Sequence, residues 1–208
     1  YAKKFSSSIS GGMNLKMVSQ SISNVGAQGV AIDAGIRYVT GDQDNIKFAI
    51  SLKNVGPPMS FSGDGLTLDI LNPSTSLSIG MVQRSSSFEL PSQLCIGTSY
   101  DFIFSENNII TAAGSFSANS FSRDQFHFGL NWKVKTEKAS FGLMGGFVYE
   151  QGIFDSNEMA TALSGPCGGF SFDFPFGDSG SNLGLNYAYR QSVLGGIHTV
   201  GGRINIGN

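Results

Sequence analysis

Apolar and polar side chains alternate along most of this chain. The clearest stretch has apolar residues at Phe126, Phe128, Leu130, Trp132 and Val134, separated by polar or small residues at Gln125, His127, Gly129, Asn131 and Lys133. Successive side chains of a β-strand point to opposite faces of a sheet, so this period of two predicts a strand and not a helix. The same period recurs in about ten segments: 5–17, 30–38, 46–53, 93–104, 109–117, 125–134, 141–149, 170–176, 183–190 and 199–206. The chain is therefore predicted to be all-β, with about ten strands.

The predicted connections fall into two sets. Four are short, 40–45, 105–108, 135–138 and 177–181, whereas 19–28, 56–92, 118–124, 150–167 and 191–196 are mostly longer. Short turns at one end of a sheet and long loops at the other are typical of outer-membrane β-barrels, whose tilted strands need ~9–11 residues to span the bilayer. The pattern predicts one domain, residues 1–208, that forms an antiparallel transmembrane β-barrel in a bacterial outer membrane. The short turns would be periplasmic and the long loops extracellular.

Charge is confined almost entirely to the polar faces of the predicted strands. The charged residues on those faces are Lys16, Asp33, Arg37, Lys47, Lys53, Asp101, Lys133, Asp173, Arg190 and Arg203. The remaining positions there are mostly Ser, Gly, Ala and Asn, which suit a narrow lumen, while the apolar faces would meet lipid. Asp33 and Arg37 lie roughly 13 Å apart along one strand at ~3.3 Å per residue, so each is expected to pair across strands. We expect a polar network in the lumen built from Asp33, Arg37, Lys47, Asp101, His127 and Arg203.

Aromatic residues gather near both ends of the predicted strands. Tyr38, Tyr100, Phe102, Phe104, Trp132, Phe174 and Phe176 lie near the short turns, and Tyr149, Tyr187 and Tyr189 lie near the long loops. Two such groups are typical of the interfacial girdles of a membrane barrel.

Composition supports a sheet in contact with lipid and excludes several functions. Charged residues make up 13% of the chain, about half the usual ~25%, and the net charge of −2 gives no basic footprint for nucleic acid. No apolar run approaches the ~18 residues of a transmembrane helix. A soluble β-sandwich or jelly roll shows the same alternation and stays open as an alternative, although its solvent face should carry more Lys and Glu.

The sequence offers little catalytic or metal-binding chemistry. His127 and His198 lie in no catalytic motif, and Cys95 and Cys167 match no metal-binding spacing. We therefore expect no enzyme activity, cofactor or metal. The two cysteines are predicted to lie near the same rim of the barrel, and a disulfide between them stays open.

The connection 56–92 is unusually apolar for a loop that faces water. It begins with Pro57 and Pro58, which stiffen the end of the preceding strand, and continues through Met59 and Phe61. Long loops in compact domains are usually functional. Two compatible interpretations remain: the loop folds inward and plugs or caps the lumen, or it presents a surface to a partner protein.

Several stretches resemble one family in their order and spacing. They are 31–38, 47–59, 90–97, 119–125, 186–190 and 195–199, and the second reads Lys47-Phe48-Ala49-Ile50-Ser51-Leu52-Lys53-Asn54-Val55-Gly56-Pro57-Pro58-Met59. Together they resemble the PorV/PorQ group of outer-membrane proteins from the type IX secretion system, with the greater similarity to PorV. The resemblance implies a FadL-like barrel of about fourteen strands, of which this chain supplies about ten, the others lying before Tyr1.

The resemblance also implies a function without catalysis. Proteins of this group bind a SprA-type translocon barrel, receive cargo that carries a C-terminal signal domain, and deliver it to a PorU-type sortase and attachment complex. The loop 56–92 would then be extracellular, with Pro57, Pro58, Met59 and Phe61 in contact with the translocon or the cargo. The alternative is a FadL-like outer-membrane channel for hydrophobic small molecules, which would need an apolar pocket in the lumen.

Overall fold

The computed structural model describes residues 1–71, 77–155, 161, 163–175, 181–192 and 195–206. Thirteen strands occur in these residues: β1 (Ala2–Lys4), β2 (Ile9–Ile22), β3 (Val25–Thr40), β4 (Ile46–Val55), β5 (Thr67–Leu71), β6 (Ser78–Val82), β7 (Gln93–Ser105), β8 (Asn108–Asn119), β9 (Gln125–Lys135), β10 (Ser140–Glu150), β11 (Gly165–Pro175), β12 (Asn182–Ser192) and β13 (Gly195–Asn205). A single 3-10 turn, Asp64–Leu66, precedes β5. Among the residues described, no helix has the length and apolar character that crossing a membrane requires.

Eleven strands form one antiparallel sheet. Its order is β1-β2-β3-β4-β7-β8-β9-β10-β11-β12-β13, so each strand pairs with its neighbour along the chain, and β5 pairs only with β6. The predicted all-β class is confirmed, and ten of the eleven strands are 10–16 residues long. In the described part of the chain β1 and β13 are not paired with each other, so the sheet is open and does not close into a barrel.

Two sequence predictions near the N-terminus are wrong. The predicted loop 19–28 is a two-residue turn, Ser23-Asn24, because β2 and β3 continue their pairing as far as Ile22 opposite Val25. The predicted first strand, 5–17, begins instead at Ile9, after the chain reverses direction from β1. Polar residues on both faces of this hairpin end hide the period of two that marks the other strands. Phe176 of the predicted aromatic girdle lies outside the described residues.

The two faces of the large sheet have opposite character. In β9 the polar or small side chains at odd positions are half-buried, whereas Phe128 and Leu130 are 57% and 60% exposed. The polar face, called the inner face below, carries Lys16, Asp33, Lys47, Asp101 and Asp173, which follows from the strand register. The apolar face, called the outer face below, is exposed over most of the sheet, although Ile110 and Phe116 of β8 are half-buried. This distribution is the reverse of that in a soluble β-sandwich, whose apolar residues are packed between sheets.

Buried apolar packing is concentrated at one rim. The cluster of buried hydrophobic residues consists of Ala27, Ala31, Met59 and Leu90, with Val18, Phe61 and Phe88 packed against it. It lies where the connection 56–92 covers the inner face of the β2–β3 hairpin. That connection is called the rim loop below.

Candidate functional site: the rim loop and the inner face

Backbone hydrogen bonds fix the rim loop to the sheet and to itself. Gly26 of β3 and Ser62 exchange two of them, with N···O distances of 2.8 and 2.9 Å. Met59 and Phe88, near the two ends of the loop, exchange another two at 2.8 and 2.7 Å. The beginning and the end of the loop are therefore held together and against β3.

Met59 anchors the loop on the inner face. Its side chain is 2% exposed and packs against Ala27 and Ala31, with Leu90 of the returning segment beside it. Gly29 lies between the two alanines, and a Cβ atom at Gly29 would overlap the thioether of Met59. The sequence Ala27-Gln28-Gly29-Val30-Ala31 thus provides a shallow notch on the inner face that accepts one long apolar side chain.

The four residues predicted to contact a partner occupy two different environments. Pro57 and Pro58 are exposed, whereas Met59 is buried and Phe61 is half-buried. The Phe61 ring stacks on Phe88 with a centroid separation of 5.1 Å. The prolines are accessible at the surface, while Met59 and Phe61 hold the loop in place. Contact of the four residues with a translocon or cargo stays a prediction.

A two-stranded ribbon, formed by β5 and β6, extends from the rim loop. Leu68 faces Met81 and Ile70 faces Ile79 across its ladder, and each of these side chains is about half exposed. The Gln83 N–H donates a hydrogen bond of 2.8 Å to the Leu66 carbonyl, which closes the base of the ribbon. A two-stranded hairpin alone is only marginally stable in water, and a continuous apolar face of this kind is typical of an interaction surface.

Sequence analysis treated 56–92 as one apolar loop and predicted neither β5 nor β6. The detectable signal was a period of two at Leu68 and Ile70 and again at Ile79 and Met81, with Asn72, Pro73 and Ser74 between them in the sequence.

The six residues predicted to form a lumen network all lie on the inner face. Lys47 and Asp101 form an ion pair with each other, whereas Asp33 and Arg203 form ion pairs with residues outside that set. The Lys16 ammonium lies 2.7 Å from an Asp33 carboxylate oxygen, and the same carboxylate accepts a hydrogen bond of 2.8 Å from the Asn54 N–H. Lys16 also donates to the Asn54 side chain. Asn54 has a φ of 57° at a register shift between β3 and β4, so the Asp33 carboxylate stabilises a bulge.

Two further ion pairs lie on the inner face, away from the β2–β3 hairpin. Lys47 pairs with Asp101, which also accepts a hydrogen bond of 2.7 Å from the Thr111 hydroxyl. Arg203 donates to the Asp173 carboxylate at 2.7 Å. The arrangement consists of separate pairs along the face and not of one connected network. Lys16, Asn54, Thr111 and Asp173 complete these pairs, and only the strand register identifies them.

Two adjacent cavities open on the inner face. The larger, about 660 Å³, lies over β8 to β13 and is lined by His127, Met144, Val148, Cys167, Arg190 and Ile197, among others. The second, about 540 Å³, is lined by residues of β3, β4 and β7 to β9, including Arg37, Lys47 and Cys95. Because one cavity brings together side chains from six neighbouring strands, the sheet curves around its inner face.

Both cysteines are free thiols and both lie on the inner face. Cys95 accepts a hydrogen bond of 3.6 Å from the Ser117 hydroxyl, and Cys167 lies opposite Arg190 in the β11–β12 ladder. Each cavity therefore contains one native thiol.

The two histidines lie on opposite faces of the sheet. The His198 Nδ1 atom lies 2.7 Å from the Tyr187 hydroxyl on the outer face, and His127 lines both cavities. Within the described ranges, no three His, Cys, Asp or Glu side chains converge as metal ligands do.

Comparison with known proteins identifies no relative. No protein-family model, curated protein or solved structure matches the chain significantly.

Proposed function

We propose that this chain is part of an outer-membrane β-barrel whose outer face contacts the lipid bilayer. The observation that carries the proposal is the apolar face of ten long antiparallel strands, most of which is exposed. In a soluble sheet that face would stay in water, which is unfavourable for apolar side chains. In a bilayer the same face would contact lipid, and no backbone polar group would lack a hydrogen-bond partner as long as the strand edges are paired. The polar and small residues of the inner face would line the lumen, within a FadL-like barrel of about fourteen strands.

Within the membrane, we propose a non-enzymatic role in type IX protein secretion. Resemblance to the PorV/PorQ group supports this role, and so does a structured rim loop that offers an apolar ribbon for protein contact. The partners would be a SprA-type translocon, cargo with a C-terminal signal domain and the PorU-type attachment complex. The ribbon and the exposed prolines Pro57 and Pro58 would form the docking surface on the extracellular side.

Excision of the ribbon tests the secretion role. Since Leu66 and Gln83 are already joined by a hydrogen bond, residues 67–82 can be replaced by a two-residue Asn-Gly turn with little disturbance of the loop base. The variant that lacks the ribbon is expected to reach the outer membrane in normal amounts but not to co-purify with a translocon-sized partner. Detergent extraction followed by affinity pull-down measures this.

A finer pair of variants separates docking from folding. Replacing Leu68 and Ile70 by Ser removes apolar groups from one face of β5, and replacing Thr67 and Asp69 by Ala alters the opposite face of the same strand. The first pair should weaken co-purification and the second should not. Equal co-purification of all variants with the unmodified protein would refute docking through the ribbon.

A second candidate function is a FadL-like channel for hydrophobic small molecules. The larger cavity supports it, because its volume of about 660 Å³ lies within the ~300–1,000 Å³ typical of ligand pockets and much of its lining is apolar. This function predicts bound lipid or fatty acid in protein purified in detergent, detectable by mass spectrometry of the organic extract. A translocon partner without bound lipid would favour secretion instead.

A further inference from the structure

Charge is divided unevenly between the inner face and the rest of the molecule. Register places nine cationic side chains on the inner face: Lys4, Lys16, Arg37, Lys47, Lys53, Lys133, Lys135, Arg190 and Arg203. The same face carries four carboxylates: Asp33, Asp101, Glu150 and Asp173. The inner face is therefore strongly positive, although the whole chain has a net charge of −2.

The remaining described residues carry the opposite excess. Nine carboxylates lie outside the inner face: Asp42, Asp44, Asp64, Asp69, Glu89, Glu106, Asp124, Glu137 and Asp155. Only four cations accompany them: Lys3, Arg84, Arg123 and Lys138. The net charge of the chain does not show this separation, because the positive charge of the concave inner face and the negative charge of the connections cancel in the sum.

Three ion pairs neutralise only part of the positive charge. Lys16, Lys47 and Arg203 each pair with an aspartate, and the Glu150 carboxylate accepts hydrogen bonds from Gln125 and Thr161. Within the described residues Arg190 forms no ion pair, and the side chain of His127, another base, lines the same cavity. A half-buried guanidinium can bind an oxyanion through two parallel hydrogen bonds.

One of these cations, Arg190, lines the larger cavity, and two others, Arg37 and Lys47, line the smaller one. Arg190 lies on β12 and His127 on β9, three strands away, and curvature brings both to one cavity. Gly129 and Gly146 are opposite each other in the β9–β10 ladder and leave space in the cavity because they have no side chain. Cys167 is opposite Gly146 on the next strand, and Arg190 is opposite Cys167 on the strand after it. A concave surface with low-dielectric walls focuses the electric field of its charges and raises the local concentration of counter-ions.

We propose that the inner face is a binding surface for anionic solutes, centred on the cavity beside Arg190 and His127. The ligand would carry an oxyanion, carboxylate or phosphate, and would be small enough for a space of about 660 Å³. This inference goes beyond the secretion role and depends neither on a partner protein nor on lipid around the outer face.

The two native thiols report the electrostatic potential directly. A single-cysteine protein with Cys95→Ser leaves Cys167 in the larger cavity, and one with Cys167→Ser leaves Cys95 in the smaller. Each full-length variant is treated with the anionic thiol reagent MTSES and with its cationic counterpart MTSET. At ~0.05 M salt, the ratio of the MTSES rate to the MTSET rate at Cys167 should exceed that of glutathione by about tenfold or more. In 1 M salt, where the Debye length is ~3 Å, the ratio should approach that of glutathione.

Matched arginine variants locate the source of the potential. Arg190→Gln should lower the ratio at Cys167 at least about threefold, as the loss of one charge across neighbouring strands predicts, and Arg190→Lys should restore it. Arg203→Gln removes the same charge from a more distant site and should change the ratio less. Addition of hexanoate or inorganic phosphate, at an ionic strength matched with sodium chloride, should slow the labelling of Cys167, and whichever protects better identifies carboxylate or phosphate as the preferred group.

Four results would overturn the inference. They are a ratio at Cys167 no greater than that of glutathione, an unchanged ratio in Arg190→Gln, absence of protection by both anions, or thiols that react only after unfolding.

Discussion

At the scale of single residues, the contact between Met59 and Gly29 decides how the rim loop lies. The sequence shows an apolar residue in a loop and a glycine in a strand, more than twenty-five residues apart. Only their contact explains why the strand has no side chain at that point, since any Cβ atom there would occupy the space of the Met59 thioether.

Shortening the Met59 side chain should release the loop. Met59→Ala should cost about 2–5 kcal/mol of packing, as truncation of a buried methionine usually does. The loop contains one trypsin site, Arg84, so limited trypsin digestion should cut there at least about tenfold faster than in the unmodified protein. Gly29→Val should have the same effect by filling the notch.

Gly26→Ala is the control for that experiment. Gly26 lies on the same strand, where a Cβ atom would make only an ordinary contact, at 3.6 Å from the Gln20 carbonyl. Cleavage at an unchanged rate in Met59→Ala would show that Met59 does not hold the loop.

The backbone conformation at Asn54 gives a second residue-scale prediction. Both Asn54→Gly and Asn54→Ala remove the side-chain bonds to Lys16 and Pro91, but only alanine keeps a Cβ atom at a φ of 57°. The glycine variant should therefore be more stable than the alanine variant by about 1 kcal/mol. Urea denaturation followed by circular dichroism measures the difference, and equal midpoints would contradict it.

At the scale of secondary-structure elements, alternation alone located the ten long strands and assigned their faces. From Gln125 to Lys133 of β9 the odd residues are half-buried and the apolar even residues are exposed, as the pattern indicated. The hairpin end at residues 18–29 was mistaken for a loop, because polar residues such as Ser19, Gln20 and Gln28 occur on both of its faces. Its role as a support for Met59 depends on a contact that no local pattern contains.

Lysine scanning of two adjacent residues in β9 tests which solvent the outer face meets. Leu130 lies on the outer face and Asn131 on the inner face. In a bilayer, Leu130→Lys should cost about 2–4 kcal/mol near the midplane, whereas Asn131→Lys should be nearly neutral. Urea titration of protein folded into phospholipid vesicles measures both. Two nearly neutral variants would favour water at the outer face and the soluble alternative.

At the scale of the whole molecule, the sheet has an unusual distribution of burial. Its buried apolar cluster is at one rim, its outer face is mostly exposed, and its inner face is polar and positive. The second edge of β13 pairs with no described residue, so insertion into a bilayer requires a further strand beside it, because lipid cannot satisfy free backbone groups.

The oxidation state of the two cysteines depends on the whole fold, and the sequence alone did not decide whether they form a disulfide. Register places Cys95 on β7 and Cys167 on β11, with three strands between them, and both thiols are free. In protein prepared without reductant, two thiols per chain should react with DTNB after denaturation in guanidinium chloride. Its melting temperature should be unaffected by dithiothreitol. A result of no titratable thiols would indicate a disulfide.

The sequence by itself determined the β class, the ten long strands and which side chains share a face. These features follow from the period of two, which is a local property of the strand backbone. The tertiary structure decided the partner of each inner charge, the burial of Met59, the apolar ribbon and the cavity beside Arg190. Each of these depends on the register and curvature of strands far apart in the chain, because contacts between strands are set by pairing and not by the residues of either strand alone.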